Sequence, residues 1–301
     1  MKSPLLDYWL QIPRATLFHG LNQRLPEKTY PVEVVTIHDR FPPPSEDYST
    51  AGFRDLMRRR IEIAVPRAAR IITVSDAVRK QLLLYDATLD RKIRVVHLGV
   101  EPAQPATPEE ILYLREHTLQ LKHDQRYFLN VGVVQTRKNI IGIVQALKPL
   151  QGYQLVLTGG DGYGAEEIRK YIRREGMQDR VQLLGYVDRN LIHLLYSGAT
   201  ALIFPSFEET FGLPILEAMS YGLPVITSNV SAMPEVAGEA AILVDPHRIS
   251  DITEAMRRVA EDQETAGVLR EKGLQRVRQF SWDICAERTW AVYQEALRER
   301  L

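Results

Sequence analysis

Two carboxylates, Glu209 and Glu217, stand eight positions apart in Pro205-Ser-Phe-Glu-Glu-Thr-Phe-Gly-Leu-Pro-Ile-Leu-Glu-Ala-Met219, on either side of a glycine-containing turn. Pro214 sits where a first helical residue would be, so Glu217 falls one turn inside a helix. Unpaired N–H groups at a helix start attract anions, and a phosphate fits against Phe211, Gly212 and Leu213. Glu217 is then placed to accept hydrogen bonds from hydroxyls joined to that phosphate, such as a ribose diol, while Glu209 faces the other end of the ligand. Arg137 and Lys138 add two cations: an arginine grips phosphate with two parallel bonds, and a lysine acts as a point charge. His38-Asp39 closes a further apolar run. Each group also has a plainer reading: Glu217 complements the helix dipole, Glu209 is a solvated loop residue, Arg137-Lys138 is a basic surface loop, and His38 is structural.

These residues must be held by the elements around them. From Tyr127 onward, short apolar runs at 127–131, 154–158, 181–184, 201–204, 225–228 and 241–244 alternate with longer segments of helical spacing, such as Ile140, Ile143, Val144 and Leu147. Asp188 marks a helix start ahead of Leu191. Strands separated by helices predict a parallel sheet with right-handed crossovers, whose ligands bind beyond the carboxyl ends of the strands. Upstream, strands are expected at 16–19, 32–37, 71–74 and 93–97, with Ser75 capping a helix over 76–85. Pro102, Pro105 and Pro108 read as a linker, and Pro42-Pro-Pro44 as a stiff surface loop. Ser281 is the expected cap of a final helix, in which Trp282, Trp290 and Tyr293 are packing residues and Cys285 is a core residue.

Composition narrows the classes. The chain has 301 residues, more than one comfortable core, so two domains are expected. Its 38 basic and 38 acidic residues cancel and give no electrostatic case for nucleic acid. The single cysteine excludes an internal disulfide and points to a reducing cytoplasm. Neither a membrane-length apolar run nor a signal-peptide core is present at Met1-Lys-Ser-Pro-Leu-Leu-Asp-Tyr8 or beyond.

The sequence resembles glycosyltransferase family 4, retaining sugar-nucleotide-dependent enzymes of the GT-B fold. The resemblance rests on the 205–219 stretch followed by Gly222-Leu-Pro-Val-Ile226, and on Val131-Gly132, Arg137-Lys-Asn139, Gly159-Gly-Asp-Gly162, Asp179-Arg-Val181, Leu184-Gly-Tyr-Val187, Pro234-Glu-Val236 and Val244-Asp-Pro246 in the family's order. Upstream, Thr36-Ile-His-Asp39, Ala68-Ala-Arg-Ile-Ile-Thr-Val-Ser75 and Val95-Val-His-Leu-Gly-Val100 match only the second half of the family's N-terminal domain. The expected fold is therefore α/β, with two Rossmann-like doubly wound domains facing a cleft. An abbreviated acceptor-side domain would span 1–105, a nucleotide-sugar domain 106–280, and a terminal helix at 281–301 would return to the first. The resemblance implies catalytic roles for His38 and Glu209. It implies donor contacts at Arg137, Lys138, Tyr186, Val187, Thr210, Phe211, Gly212, Leu213 and Glu217. Arg137 stands in for the Arg that the family commonly places where Val133 lies, as in the family's mannosyltransferase-like branch.

The implied reaction moves a hexose, mannose as the leading guess, from a nucleoside-diphosphate sugar to a glycan or lipid-linked acceptor, without a metal or other cofactor. The absence of Asp-x-Asp or His-x-x-x-His pairs agrees with that. The alternatives are a nucleotide-sugar-binding subunit that needs a partner chain or second copy for the acceptor half, and an epimerase or hydrolase on the same fold. A glycosidase reading of the paired carboxylates leaves Arg137-Lys138 and the phosphate-facing turn unexplained. Gly159-Gly-Asp-Gly-Tyr-Gly164 does not fit G-x-G-x-x-G and reads as a tight turn. Phe53-Arg-Asp-Leu-Met-Arg-Arg-Arg-Ile-Glu62 reads as the charged face of a solvated helix, with peripheral contact to anionic lipid as its alternative.

Overall fold

The computed structural model describes residues 15–38 and 48–299. Asp39, Pro42-Pro-Pro44 and the first eight residues, all singled out above, lie outside them. By its contacts the chain divides into two units. One gathers the described residues before position 39 with Ala51–Val96 and the chain from Ala286 on, and the other holds His97–Cys285 with a few residues ahead of Ala51. The break falls at Val96, earlier than the expected 105. The proline segment belongs to the second unit because hydrogen bonds stitch it there: Val100 N–H to the Phe280 carbonyl (2.9 Å) and Ala106 N–H to Ser197 Oγ (3.0 Å).

The first unit is built on four parallel strands in chain order, β1 (Leu17–Gly20), β2 (Val32–Ile37), β3 (Arg70–Thr73) and β4 (Ile93–Val95). Helix α1 (Ala51–Arg67) joins β2 to β3, and α2 (Asp76–Tyr85) joins β3 to β4. All six β2 residues are buried, as in a parallel strand covered on both faces. Its one charge, Glu33, is held by Arg67 at 2.5 and 3.0 Å, which offsets the cost of burying it. Ser75 caps α2 as expected, accepting from the Val78 N–H at 3.2 Å. The C-terminal helix Trp282–Arg298 completes the unit from Ala286 onward, burying Val292 and Ala296. It is fastened by polar contacts: Arg94 Nε donates to Glu295 Oε2 at 2.8 Å, and Tyr293 hydroxyl lies 2.6 Å from His19 Nδ1. Trp282 and Trp290 are 44% and 61% exposed and Cys285 is half-buried, so these are not the packing residues expected. The helix turns its Val292/Ala296 face inward and leaves the tryptophans outside it.

In the second unit a short helix α3 (Pro108–Tyr113) leads to β5 (Arg126–Val131). There follow α4 (Ile140–Leu147), β6 (Tyr153–Thr158), α5 (Ala165–Arg174), β7 (Val181–Leu183), α6 (Arg189–Gly198) and β8 (Leu202–Phe204). The remainder is α7 (Leu213–Ser220), β9 (Val225–Ser228), α8 (Met233–Ala237), β10 (Ile242–Val244), α9 (Ile249–Glu261) and α10 (Gln263–Val277). The six strands are parallel in the order β10-β9-β8-β5-β6-β7. Winding runs outward from β5 through β6 and β7, then returns to β8 on its other side. The loops after β5 and β8 therefore leave neighbouring strand ends in opposite directions, which opens a crevice at this switch point. Ile140, Ile143, Val144 and Leu147 are buried in the unit's core, as their spacing predicts, and Asp188 caps α6 through the Leu191 N–H at 2.8 Å.

The glycine-rich 159–164 segment continues the pairing of β5 and β6 past their ends. Gly132 N–H bonds the Thr158 carbonyl, and Val134 and Gly160–Gly162 exchange backbone bonds, all at 2.9 Å. Gly159 has φ +136°, and a Cβ there would stand 2.2 Å from the Gly132 carbonyl oxygen. Gly159→Ala is expected to cost about 2 kcal/mol or more, read as a lowered urea midpoint; an unchanged midpoint would show that the two loops separate freely.

Candidate functional site

The loop after β5 makes one tight turn at Thr136–Lys138, ended by Asn139 in the left-handed region (φ 56°) as the cap of α4. Asn139 is fixed there by its own Nδ2, which donates to the Pro246 carbonyl at 2.7 Å. That turn aims Lys138 back under the strand ends. Its Nζ lies 4.1 Å from the Phe204 ring centroid and 2.7 Å from Glu209 Oε1. Gly132 makes room for it, since a Cβ there would be 3.3 Å from both Cε and Nζ of Lys138. Arg137 Nη1 reaches the other oxygen, Glu209 Oε2, at 2.7 Å and also donates to the Glu208 carbonyl. Ser206 Oγ donates to Glu209 Oε1 at 3.0 Å, and the Phe207 N–H bonds the Arg137 carbonyl at 2.9 Å.

Lys138 and Glu209 are only 6% and 7% exposed. Burial pulls the Glu209 carboxyl upward, but Lys138 and Arg137 outweigh it and hold the group below its ordinary value. Burial acts on Lys138 in the same sense, toward the neutral amine, with Arg137 adding to it and Glu209 opposing. The basic surface loop and the solvated Glu209 are thus both ruled out for this geometry. Sequence reasoning set the cations on one ligand group and Glu209 on another; the structure joins all three in one buried cluster.

Helix α7 begins at Leu213, one residue earlier than expected, with Gly212 (φ 105°) as its cap and Pro214 second. Pro214 has no N–H and the Ile215 N–H is taken by the Gly212 carbonyl at 3.0 Å, so the backbone donors at this start come from Gly212 and Leu213. The Phe211 ring is buried near His97 and Phe280, and Thr210 beside it is half-buried. Glu217 Oε2 accepts from the Tyr196 hydroxyl at 2.6 Å, and the Tyr196 ring stacks on Tyr221 with centroids 5.3 Å apart. Burial first and Glu217 second push the Tyr196 phenol well above its ordinary value, so it stays a donor.

Beyond β7, the Gly185 carbonyl accepts from the Gly159 N–H at 2.7 Å, which pins the Leu184–Val187 loop beside the β6 end. Tyr186 projects at 88% exposure and Val187 is half-buried. His38 lies in the first unit at the end of β2, half-buried, with Nε2 2.8 Å from the Leu21 carbonyl and its N–H bonded to Gln23 Oε1 at 3.2 Å. Its neighbour His19 went unnoticed in the sequence. Both His19 ring nitrogens are engaged, by Tyr293 and by Thr36 Oγ1 at 2.8 Å, and burial, with His38 nearby, lowers it to about 4. Ser206, Tyr196 and Ser231 were also missed; Ser231 Oγ donates to the Glu209 carbonyl at 2.5 Å. Ser206 alone had a signal, its place in the Pro205-Ser206 phrase. Among the described residues no group of three or more His, Cys, Asp or Glu is placed to hold a metal ion.

Residues 116–276 match the family described as glycosyl transferases group 1, and residues 10–104 match glycosyltransferase family 4. The chain is 32% identical over 285 residues to O-antigen chain mannosyltransferase B of Escherichia coli, with 92% of this chain and 74% of that protein covered. It is 28% identical over 249 residues to O-antigen chain mannosyltransferase RfbU of Salmonella typhimurium, covering 80% of this chain and 65% of that one. Among solved structures, sucrose-phosphate synthase from Thermosynechococcus elongatus superposes with a TM-score of 0.80 at 23% identity, over 98% of this chain and 77% of that one. The fold shared with such neighbours is GT-B.

The buried cluster has a pH signature. With its folded value depressed, Glu209 contributes stability that is complete above the ordinary 4.5 and is lost as pH falls through the lower folded value. Glu209→Gln should cost about 3–5 kcal/mol at pH 7, since two cations lose their buried partner. Urea titrations should show that gap narrowing below pH 4.5; a gap constant with pH would mean Glu209 is not held ionised by its partners.

Proposed function

The chain belongs to the glycosyl transferases group 1 family and is a glycosyltransferase, and from that premise we propose that it transfers mannose from GDP-mannose, with retention, to a glycan or lipid-linked acceptor. The observation that carries this reading is the Arg137–Glu209–Lys138 cluster at the switch point beside the start of α7. The mannosyltransferase names of two relatives support the choice of sugar.

An incoming diphosphate competes with Glu209 for the two cations. It takes the bidentate face of Arg137 and the charge of Lys138, and the Gly212 and Leu213 N–H groups add donors from the helix start. Glu209, released from its ion pairs, accepts hydrogen bonds from the sugar hydroxyls. Glu217 accepts from the ribose diol, sharing its carboxylate with Tyr196, and the exposed Tyr186 with Val187 meets the nucleobase. As the bond between the sugar anomeric carbon and the phosphate oxygen breaks, charge grows on the leaving diphosphate, where fixed cations in a water-poor site stabilise it most. The acceptor hydroxyl forms the new bond on the same face and gives its proton to the departing phosphate oxygen. No metal or cofactor is required for that step.

The acceptor reading includes a lipid surface on the cytoplasmic side. Helix α1 exposes Phe53, Leu56 and Ile63 along one stripe with Arg59 among them, an apolar row with basic relief that suits anionic headgroups. No helix among the described residues is long and apolar enough to cross a membrane.

Calorimetric titration with GDP, UDP and ADP should show selective binding of GDP, weakened at least tenfold by Glu217→Ala. Lys138→Ala should lower kcat/KM for GDP-mannose by at least about tenfold. Preference for UDP would overturn the donor assignment, and a wild-type rate in the Lys138 variant would remove that residue from the site. Phe53→Ser/Leu56→Ser/Ile63→Ser should reduce co-sedimentation with anionic vesicles; equal sedimentation would end the lipid-surface reading.

A further inference from the structure

Glu217 stands half-buried on α7, one turn in from the helix start, on a side chain that is among the richest in rotamers. A carboxylate on such a stem recognises a diol well only if its orientation is fixed before the ligand arrives. The hydrogen bond that can fix it comes from a different helix. Tyr196, near the end of α6, donates its hydroxyl to Glu217 Oε2 at 2.6 Å, and among the described residues this is the one hydrogen bond the Glu217 carboxylate makes.

The donor is itself immobile. Tyr196 is 3% exposed, and its ring lies nearly parallel to that of Tyr221, at 10° with centroids 5.3 Å apart. Tyr221 caps the far end of α7, where its N–H bonds the Ala218 carbonyl at 3.1 Å, and its ring has His193 of α6 beside it at 5.7 Å. The rings thus span from α6 to α7 and set the hydroxyl at a fixed place relative to Glu217. A buried tyrosine needs some acceptor, and a backbone carbonyl suffices: Tyr127, equally buried, donates to the Leu195 carbonyl at 2.8 Å. Tyr196 commits its single proton to a carboxylate instead. With Oε2 held from one side, Oε1 and the second lone pair of Oε2 remain as acceptors for two further hydroxyls.

We propose that Tyr196 is a positioning residue for nucleoside recognition: its hydroxyl holds the Glu217 carboxylate in the orientation that accepts from both hydroxyls of the ribose diol. The proposal rests on the reading of Glu217 as the ribose acceptor. Tyr196 acts through Glu217 and not on the ligand itself.

The test is calorimetric titration of wild type and Tyr196→Phe with GDP and with 2′,3′-dideoxy-GDP, and in parallel with UDP and its dideoxy analogue so that a wrong nucleobase is told apart from a wrong positioning residue. Phenylalanine keeps the buried ring and its stack, and the urea midpoint reports that the fold is retained. Wild type should prefer the ribonucleotide by at least about tenfold, since a site built to bond hydroxyls rejects the analogue that lacks them. In Tyr196→Phe that preference should fall to about threefold or less, with the dideoxy analogue bound as in wild type. In a Glu217→Ala background, adding Tyr196→Phe should weaken binding no further. Parallel weakening of both nucleotides, an unchanged preference in Tyr196→Phe, or a further loss in the Glu217→Ala background would overturn the proposal while leaving the ribose reading of Glu217 in place. Equal binding of both nucleotides by wild type, or binding of none, would overturn that reading and the proposal with it.

Discussion

The contact between Lys138 and Glu209 sets the terms for the second unit. Two opposite charges taken out of water recover their solvation only if distance and geometry are good and the remaining valences are filled. Here both carboxylate oxygens are occupied, by Lys138 at Oε1, Arg137 at Oε2 and the Ser206 hydroxyl at Oε1. The pair joins the loop after β5 to the loop after β8, so it can exist only where those strands are neighbours. Around it, Gly132 gives space for the lysine, Asn139 turns the chain, and Phe204 offers the ammonium its ring face. On the proposed reading, an incoming phosphate replaces Glu209 as the partner of both cations and restores what the carboxylate gives up.

The two carboxylates of the opening motif have different partners and so different duties. Glu209 answers to cations, whereas Glu217 answers to a tyrosine hydroxyl backed by a stacked ring. The Tyr196 hydroxyl occupies Glu217 Oε2, and the side chain keeps further acceptor lone pairs. The glycine-rich 159–164 segment, by contrast, serves the site indirectly. Its close approach to Gly132 and Val133 fixes the loop from which Arg137 and Lys138 project.

In the first unit the C-terminal helix is held by charge as much as by apolar burial. Glu295 bridges Arg70 and Arg94, and the Tyr293–His19–Thr36 chain ties the helix to β1 and β2 through a neutral imidazole. This explains how a helix that buries few apolar side chains still belongs to the unit. Among the described residues, the buried Nε–H of Arg70 is left without a hydrogen-bond partner in this polar fastening.

What the sequence determined by itself was local. Strand runs, the caps Ser75, Asp188 and Ser281, and the buried face of α4 follow from alternation, spacing and side-chain reach within a few residues. The loop positions of Arg137, Lys138, Glu209 and Glu217 were legible for the same reason, since each follows a strand or opens a helix. Tertiary structure alone decided whom those side chains meet. Lys138 and Glu209 are 71 residues apart, and Arg70 and Glu295 are 225 apart. Their pairing depends on which strands are adjacent and which way a helix turns. The exposed tryptophans and half-buried Cys285 of the last helix, and the earlier start of α7, were set in the same way. Spacing along one segment fixes how its side chains are arranged, but the partner that covers them comes from elsewhere in the chain, and pattern within the segment carries no record of it.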